Sequence, residues 1–438
     1  KKIEIKSSIG EFQKMTATAE ASDFRQDAKV LSLISTGHFL SHFYYLTLPP
    51  LFLFIRQDMD LSFTELGIMM TTLYAVAGVV QVPIGFMVDR IGARLILTVG
   101  LIIMSVSFGA IGMAPAAGEA LMGALSLSFN PTYGIILALL AIAALGHSVF
   151  HPADYAILNS SINPKRMGRA FSIHTFCGHL GSALAPATIL LLAAWTDWKM
   201  ALVIAGSFGV ITMFAMTTQW NSLQDDAIKK SDEKKEEPKD KAADAPKEGI
   251  ALLLSGPMLL FFLFFMSLTM MSSGVHSFLV VGLGGLDIAT TKIAGYALSA
   301  YLFASAFGIL IGGEIADRTG RHDLVALAAF VISGVIMLLL PLLHPGTILL
   351  IAMMVVAGLV QGIIRPARDM MVRAASPKGS TGKVFGFVSA GIAAGGAVAP
   401  AIFGLIMDAN QPAWVFYLMA IFMGLAMFSV IMPKPKHQ

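Results

Sequence analysis

Gly85-Phe-Met-Val-Asp89-Arg90-Ile-Gly92-Ala-Arg94 follows the second long apolar stretch of the chain, and Gly313-Glu-Ile-Ala-Asp317-Arg318-Thr-Gly320-Arg321 follows the eighth. Both read G-x-x-x-D-R-x-G and lie 228 positions apart. Two further pairs repeat at an offset of 214: HPADYAIL from His151 against RPARDMMV from Arg365, and the run Phe171 to Pro186 against Phe385 to Pro400. A constant register across two apolar stretches marks an internal duplication. The 14-residue difference between the offsets is assigned to a longer connection at 116–131 (AAGEALMGALSLSFNP).

The duplicated unit is membranous. Of 438 residues, 56% are hydrophobic and only 13% charged, against about 25% charged in soluble domains. A soluble fold of this composition would expose large apolar patches. A soluble enzyme, a disordered chain and a nucleic-acid binder are excluded on this ground. The balance of 30 Lys+Arg against 27 Asp+Glu creates no field for a polyanion. Cys177 is the single cysteine, so neither an intramolecular disulfide nor a cysteine-based metal site is available.

A spanning helix needs about 20 mostly apolar residues. Twelve stretches qualify, near 30–55, 63–88, 94–115, 132–160, 168–193, 198–219, 250–280, 290–316, 323–343, 346–373, 382–407 and 412–432. Residues 1–29 are polar and mixed in charge, and are expected to be a retained N-terminal segment rather than a cleaved signal. The stretch 219–248 is rich in Lys, Glu, Asp and Ala and reads as a solvated linker. The expected organisation is an N-terminal segment 1–29, a six-helix bundle 30–218, the linker 219–248, a second six-helix bundle 249–433 and a tail 434–438. The fold class is an all-α membrane protein of twelve transmembrane helices in two pseudo-symmetric bundles.

Lys and Arg set the orientation. Arg90, Arg94, Lys165, Arg166, Arg169, Arg318, Arg321, Arg373, Lys378, Lys383, Lys434 and Lys436 fall on one side with the termini and the linker. Arg56, Lys199 and Lys292 fall on the other. The positive-inside rule then places both termini in the cytoplasm.

In the repeated motif, Gly85 and Gly313 are expected to allow close helix contact. Asp89, Arg90, Asp317 and Arg318 are expected to cap the turns and to pair with neighbouring spans, with Gly92, Arg94, Gly320 and Arg321 completing a gate that holds two bundles together and releases them. In the plainer alternative the arginines only fix topology.

These residues resemble the major facilitator superfamily over about residues 30–433: two six-span halves, a polar central loop, and a loop 2–3 motif repeated in loop 8–9. SVFHPADYAIL from Ser148, GRAFS from Gly168 and GSALAP from Gly181 look like the fosmidomycin-resistance-type exporters of bacteria. The chain departs from the superfamily's drug antiporters in two places: the outer half of span 4 (ILALLAIAAL) has no Arg, and span 5 has Ala185 before Pro186. The resemblance implies that spans 1, 4, 7 and 10 line a central cavity.

Ionisable side chains inside spans are costly and mark function. Seven of the ten histidines lie in the expected spans: His38, His42, His147, His151, His174, His179 and His276. His147, His151 and Asp154 stand at i, i+4 and i+7, one face of a helix. At the repeat offset they map onto Gln361, Arg365 and Arg368 of span 10. His38, His42 and Tyr45 make a similar face on span 1. Together with His276 these residues are the expected substrate-binding set, with Tyr44 a further candidate for the wall. Arg365 and Arg368 can take a carboxylate, phosphate or phosphonate by bidentate contacts, or form a standing pair such as Arg368 with Asp154. Histidine titrates near ~6.5, so His151 with Asp154 is the expected proton-coupling pair. His174 and His179 read as packing residues. The i, i+4 His pairs would permit a metal, but no ligand motif supports one and no metal or cofactor is expected. No nucleophile–base constellation and no ATP-binding loop occur, so catalytic residues are not expected.

The expected function is secondary active transport of a small anionic or amphipathic organic molecule across the bacterial inner membrane by a monomer, with protons and the lipid bilayer as partners and proton-coupled export as the direction. Uptake of an organic anion or metal chelate is the alternative; a non-transporting membrane sensor is a third reading.

Overall fold

The computed structural model describes residues 2–163, 166–223, 253–375 and 381–431. Most of the expected linker, the tail 434–438, Lys165 and Lys378 lie outside these residues. Among the described residues the chain is helical, with no strand. Eleven of the expected spans are long and apolar enough to cross a membrane, among them Phe63–Ile91, Ala93–Leu125, Met167–Trp195, Gly256–Gly285, Thr291–Arg318 and Thr347–Ala375.

The exception is span 1. Its helix, Lys2–Tyr45, continues the N-terminal segment without a break and then gives way to a 3-10 turn at Pro49–Leu51 and a short helix Phe52–Met59. His38, His42 and several Ser and Thr residues dilute its apolar character. Span 3 runs further than expected, to Leu125, so much of the expected loop 116–131 is helical. Its Ala, Leu, Met and Glu content explains this, since these residues have high helix propensity.

Span 4 is broken. It consists of Thr132–His147 and Phe150–Ser161. Pro152 lacks the N–H that would bond the Ser148 carbonyl, and its ring crowds that turn. The break lies immediately after His147, so the local sequence His147-Ser-Val-Phe-His-Pro both carries the polar face and bends it.

Each six-span half packs as a bundle. The halves meet along two seams, span 2 (Phe63–Ile91) against span 11 (Thr381–Asp408) and span 5 (Met167–Trp195) against span 8 (Thr291–Arg318). Small residues make the first seam close. A Cβ on Gly67 would strike the Pro400 carbonyl, one on Gly404 the Phe63 carbonyl, and one on Gly78 the Ala393 methyl.

The end of this seam opposite the linker is sealed by hydrogen bonds. Ser62 and Glu65 form a capping box at the start of span 2. Asp408, at the end of span 11, accepts from the Phe63 N–H at 2.7 Å and the Thr64 N–H at 2.8 Å. All four N–H groups at the helix start are thus satisfied, two of them by the other half of the molecule. A carboxylate at a helix N-terminus is favourable by about 1 kcal/mol. Asp408→Ala is therefore expected to loosen this face about fivefold in population, a shift measurable as longer distances between spin labels on the loops after spans 1 and 7.

At the linker face, by contrast, the described charge pairs stay within one half. Arg166 Nε reaches Asp27 at 2.6 Å, which also accepts from the Asn163 N–H. Arg318 pairs with Glu314 one turn earlier, and Arg321 with Asp323. Among the described residues, side-chain hydrogen bonds join the halves at the Asp408 end of the seam, and no charge pair does so at the linker end.

Candidate functional site

The repeated motif sits at the linker face. The expected close contacts at Gly85 and Gly313 are not made: a Cβ on either would meet nothing within 4 Å. Neither glycine is therefore required for a helix contact among the described residues. The side chains of Asp89 and Asp317 lie outside the described residues. Arg90 and Arg318 are exposed. Arg94 lies 4.9 Å above the Trp220 ring, tying the start of span 3 to the start of the linker.

Gly92 has a requirement its mate lacks. It alone joins spans 2 and 3, at φ 113 and ψ 137. A side chain in that region costs about 1–3 kcal/mol. Gly320 needs no such angle and faces open space. Gly92→Ala is expected to lower the Tm by several degrees and Gly320→Ala to leave it unchanged, in a thermal unfolding assay.

Between the halves lies a cavity of about 290 Å³. Spans 1, 7 and 10 present His42, Tyr45, His276, Gln361, Arg365 and Arg368 to it. Span 5 contributes His179 and Ser182, span 2 Tyr74, and span 8 Tyr301 and Ser305. Six of the nine expected substrate-binding residues are on this wall.

The other three, His38, His147 and His151, lie behind it inside the N-terminal bundle. Of these, His38 lies against Asp154, which is wholly buried, together with His174 of span 5. His38 Nδ1 stands 3.1 Å and His174 Nε2 3.4 Å from Asp154 Oδ2. The His38 and His174 rings stack at 4.0 Å, and His151 lies 5.4 Å from His38, centre to centre. None of these approaches has hydrogen-bonding angles, so both carboxylate oxygens lack a donor among the described residues. His147 packs instead on Tyr45 at 4.0 Å. Of the described groups, His38, Asp154 and His174 are the set whose ligand atoms are close enough together for a metal ion, within 4.8 Å.

Glycines on span 5 make this assembly possible. A Cβ on Gly178 would sit 2.6 Å from the His38 ring and 3.0 Å from the His42 ring. One on Gly181 would strike the Phe39 carbonyl. At these two positions span 1 lies against span 5 only because span 5 has no side chain there.

The cationic side belongs to span 10. Arg368 Nε donates to Asp369 at 2.8 Å, and its guanidinium lies 4.4 Å over Phe265. The alternative pair of Arg368 with Asp154 is not formed, because Asp154 is turned into the opposite bundle. Arg365 has no carboxylate within 4 Å among the described residues; its Nη1 approaches His179 Nε2 of span 5 at 3.5 Å, between the two halves. Gln361, the third member of the repeat triplet, has its amide against the sulfurs of Met271 and Met423.

Sequence reading placed His174 and His179 among packing residues. The structure puts the first against Asp154 and the second on the cavity wall. His174 lies one turn before Gly178 and His179 directly follows it, and that small-residue run is the signal that could have found them. Tyr74 and Tyr301 were missed because single tyrosines in apolar helices carry no pattern. Tyr44 is not on the wall: its hydroxyl donates to the Ala205 carbonyl at 2.9 Å and accepts from the Gly209 N–H at 3.0 Å, fastening span 1 to span 6.

Residues 34–291 and 285–438 match the family described as the Major Facilitator Superfamily. The chain is 24% identical over 436 residues to the fosmidomycin resistance protein of Escherichia coli K12, covering 96% of this chain and 97% of that one. Among solved structures, the nucleoside transporter NupG superposes with a TM-score of 0.71 at 15% identity, over 93% of this chain and 99% of its own. A bacterial homologue of the human lysosomal transporter Spinster, crystallised inward-facing and occupied, superposes with a TM-score of 0.67 at 14% identity, over 92% and 95%.

Proposed function

The chain belongs to the major facilitator superfamily, and from that premise we propose that it is a proton-coupled exporter of a small organic anion across the bacterial inner membrane. It is a multi-pass membrane transporter rather than an enzyme. The linker face is assigned to the cytoplasm, with both termini there, by the excess of Lys and Arg on it. The pairing within halves at that face, and the Asp408 bonds between halves at the other, support a cavity reached from the cytoplasm.

One observation carries the choice of substrate. Arg365 lies in the cavity and has no carboxylate within 4 Å among the described residues. An arginine within a membrane span is costly, up to about 2.5–3.5 kcal/mol at the helix centre, a cost that an incoming carboxylate, phosphate or phosphonate offsets by charge-assisted hydrogen bonds. Arg368, already held by Asp369 and Phe265, supplies field rather than an open fork. His42, His276, Tyr45 and Gln361 add polar contacts around the bound anion.

Asp154 and His151 are proposed to carry the coupling proton. Facing them are His38 and His42 on span 1, His147 and Tyr155 on span 4, and His174 on span 5. A proton held on this cluster adds positive charge to the wall shared with Arg365, so anion and proton occupancy are linked. Alternating access then closes the linker face, with the repeated motif as its proposed gate, and opens the Asp408 face. Similarity to a resistance protein supports the outward direction. The open guanidinium serves uptake of an anion or a metal chelate equally well chemically, and flux in proteoliposomes of known orientation distinguishes the two.

A further inference from the structure

A second cavity adjoins the first, and the two share His179. It measures about 340 Å³ and lies along the span 5–span 8 seam on the linker side. Its lining is mainly apolar: Phe171 and Phe176 from span 5, Ala306, Ile309 and Leu310 from span 8, and Pro366 from span 10. Phe176 meets Phe307 across the seam at 5.9 Å. The rim is apolar too, with Leu310 50% exposed between the exposed Phe307 and Ile311. Pro366 follows Arg365 directly in the chain, so the guanidinium and the apolar cleft are fixed to the same turn of span 10.

We propose that the substrate is an amphipathic anion with a single alkyl or aryl tail, its charged head on Arg365 and His179 and its tail in this cleft. The inference rests on the anion reading of Arg365 and adds the tail and its place. A cleft with an apolar rim at the seam also admits such a tail from the surrounding lipid, while the head group travels along the polar wall. Of the two arginines on the cavity wall, Arg365 has no carboxylate within 4 Å among the described residues, which matches one anionic head, and the continuity of the cavities at His179 sets the head-to-tail order.

The test is a series of n-alkyl phosphates from two to ten carbons, with inorganic phosphate as the tailless member. Binding is measured calorimetrically to the protein in lipid nanodiscs, with empty nanodiscs subtracting partition into lipid. Affinity is expected to rise about fourfold per methylene, the equivalent of ~0.8 kcal/mol per buried CH₂, and then to level off as the cleft fills. Ala306→Phe should stop the rise at a shorter chain without changing the affinity for ethyl phosphate. Ile309→Ser should lower the slope in the same way and guards against misfolding of the first variant. Arg365→Ala should weaken every member while leaving the slope. Binding of short phosphates with no dependence on chain length would overturn the tail assignment and leave the anion site standing. A slope unaffected by both cleft variants would place the tail elsewhere and also overturn it. Failure of every phosphate, carboxylate and phosphonate to bind would overturn the anion reading itself, and this inference with it.

Discussion

Arg365→Ala is expected to weaken binding of the anionic substrate about tenfold to a hundredfold. The estimate follows from the ~1.5–3 kcal/mol of a hydrogen bond to a charged group. Nothing among the described residues competes for this guanidinium: the nearest partner is a ring nitrogen of His179 at 3.5 Å. Arg368→Ala should do less, since that side chain already donates to Asp369 and stacks on Phe265. Arg365→Lys should recover part of the loss, keeping the charge and losing the planar fork. A thermal-shift screen of carboxylates, phosphates and phosphonates reads the order, because a ligand stabilises the state it binds according to its concentration over its affinity. Equal binding by wild type, Arg365→Ala and Arg368→Ala for every anion would remove the basis of the site.

The second large effect belongs to the cluster behind the cavity. Asp154→Asn combined with His151→Gln is expected to abolish accumulation driven by a pH gradient while sparing exchange of substrate for substrate. Both substitutions preserve shape and remove a proton site. Asp154 is wholly buried, with both oxygens lacking a donor among the described residues, so its charge has no fixed compensation. Neighbouring imidazoles that ordinarily titrate near ~6.5 can share a proton with it. Full pH-driven transport by the double variant would place coupling on other residues.

The architecture was legible because its signals are redundant. The count of apolar stretches, the alternation of basic loops and the offsets of 228 and 214 each specify two six-span halves. What escaped were features set by tertiary approach. The break in span 4 could be anticipated at Pro152, yet its effect, dividing His147 from His151 and Asp154, depends on how the two pieces dock. The repeat register paired His147, His151 and Asp154 with Gln361, Arg365 and Arg368 as though both faced one cavity. Only the span 10 triplet does so; the span 4 triplet is covered by span 1, which Gly178 and Gly181 admit against span 5. That asymmetry comes from where glycines let helices touch, and helical periodicity does not contain it. The expected contacts at Gly85 and Gly313 illustrate a different gap, since a glycine near a helix end permits a close approach without requiring one, and here both face open space. Asp408 was not singled out because its partners are backbone N–H groups 344 and 345 residues away.

The most direct test of the central claim is substrate flux in proteoliposomes under an imposed pH gradient. Inserted with the linker face outward, the wild-type protein should carry an anionic substrate into vesicles whose lumen is more acidic than the medium, in exchange for protons. The same vesicles without a gradient should show only equilibration, and Asp154→Asn with His151→Gln should equilibrate even with one. Transport that is indifferent to the gradient in the wild-type protein would contradict proton-coupled export.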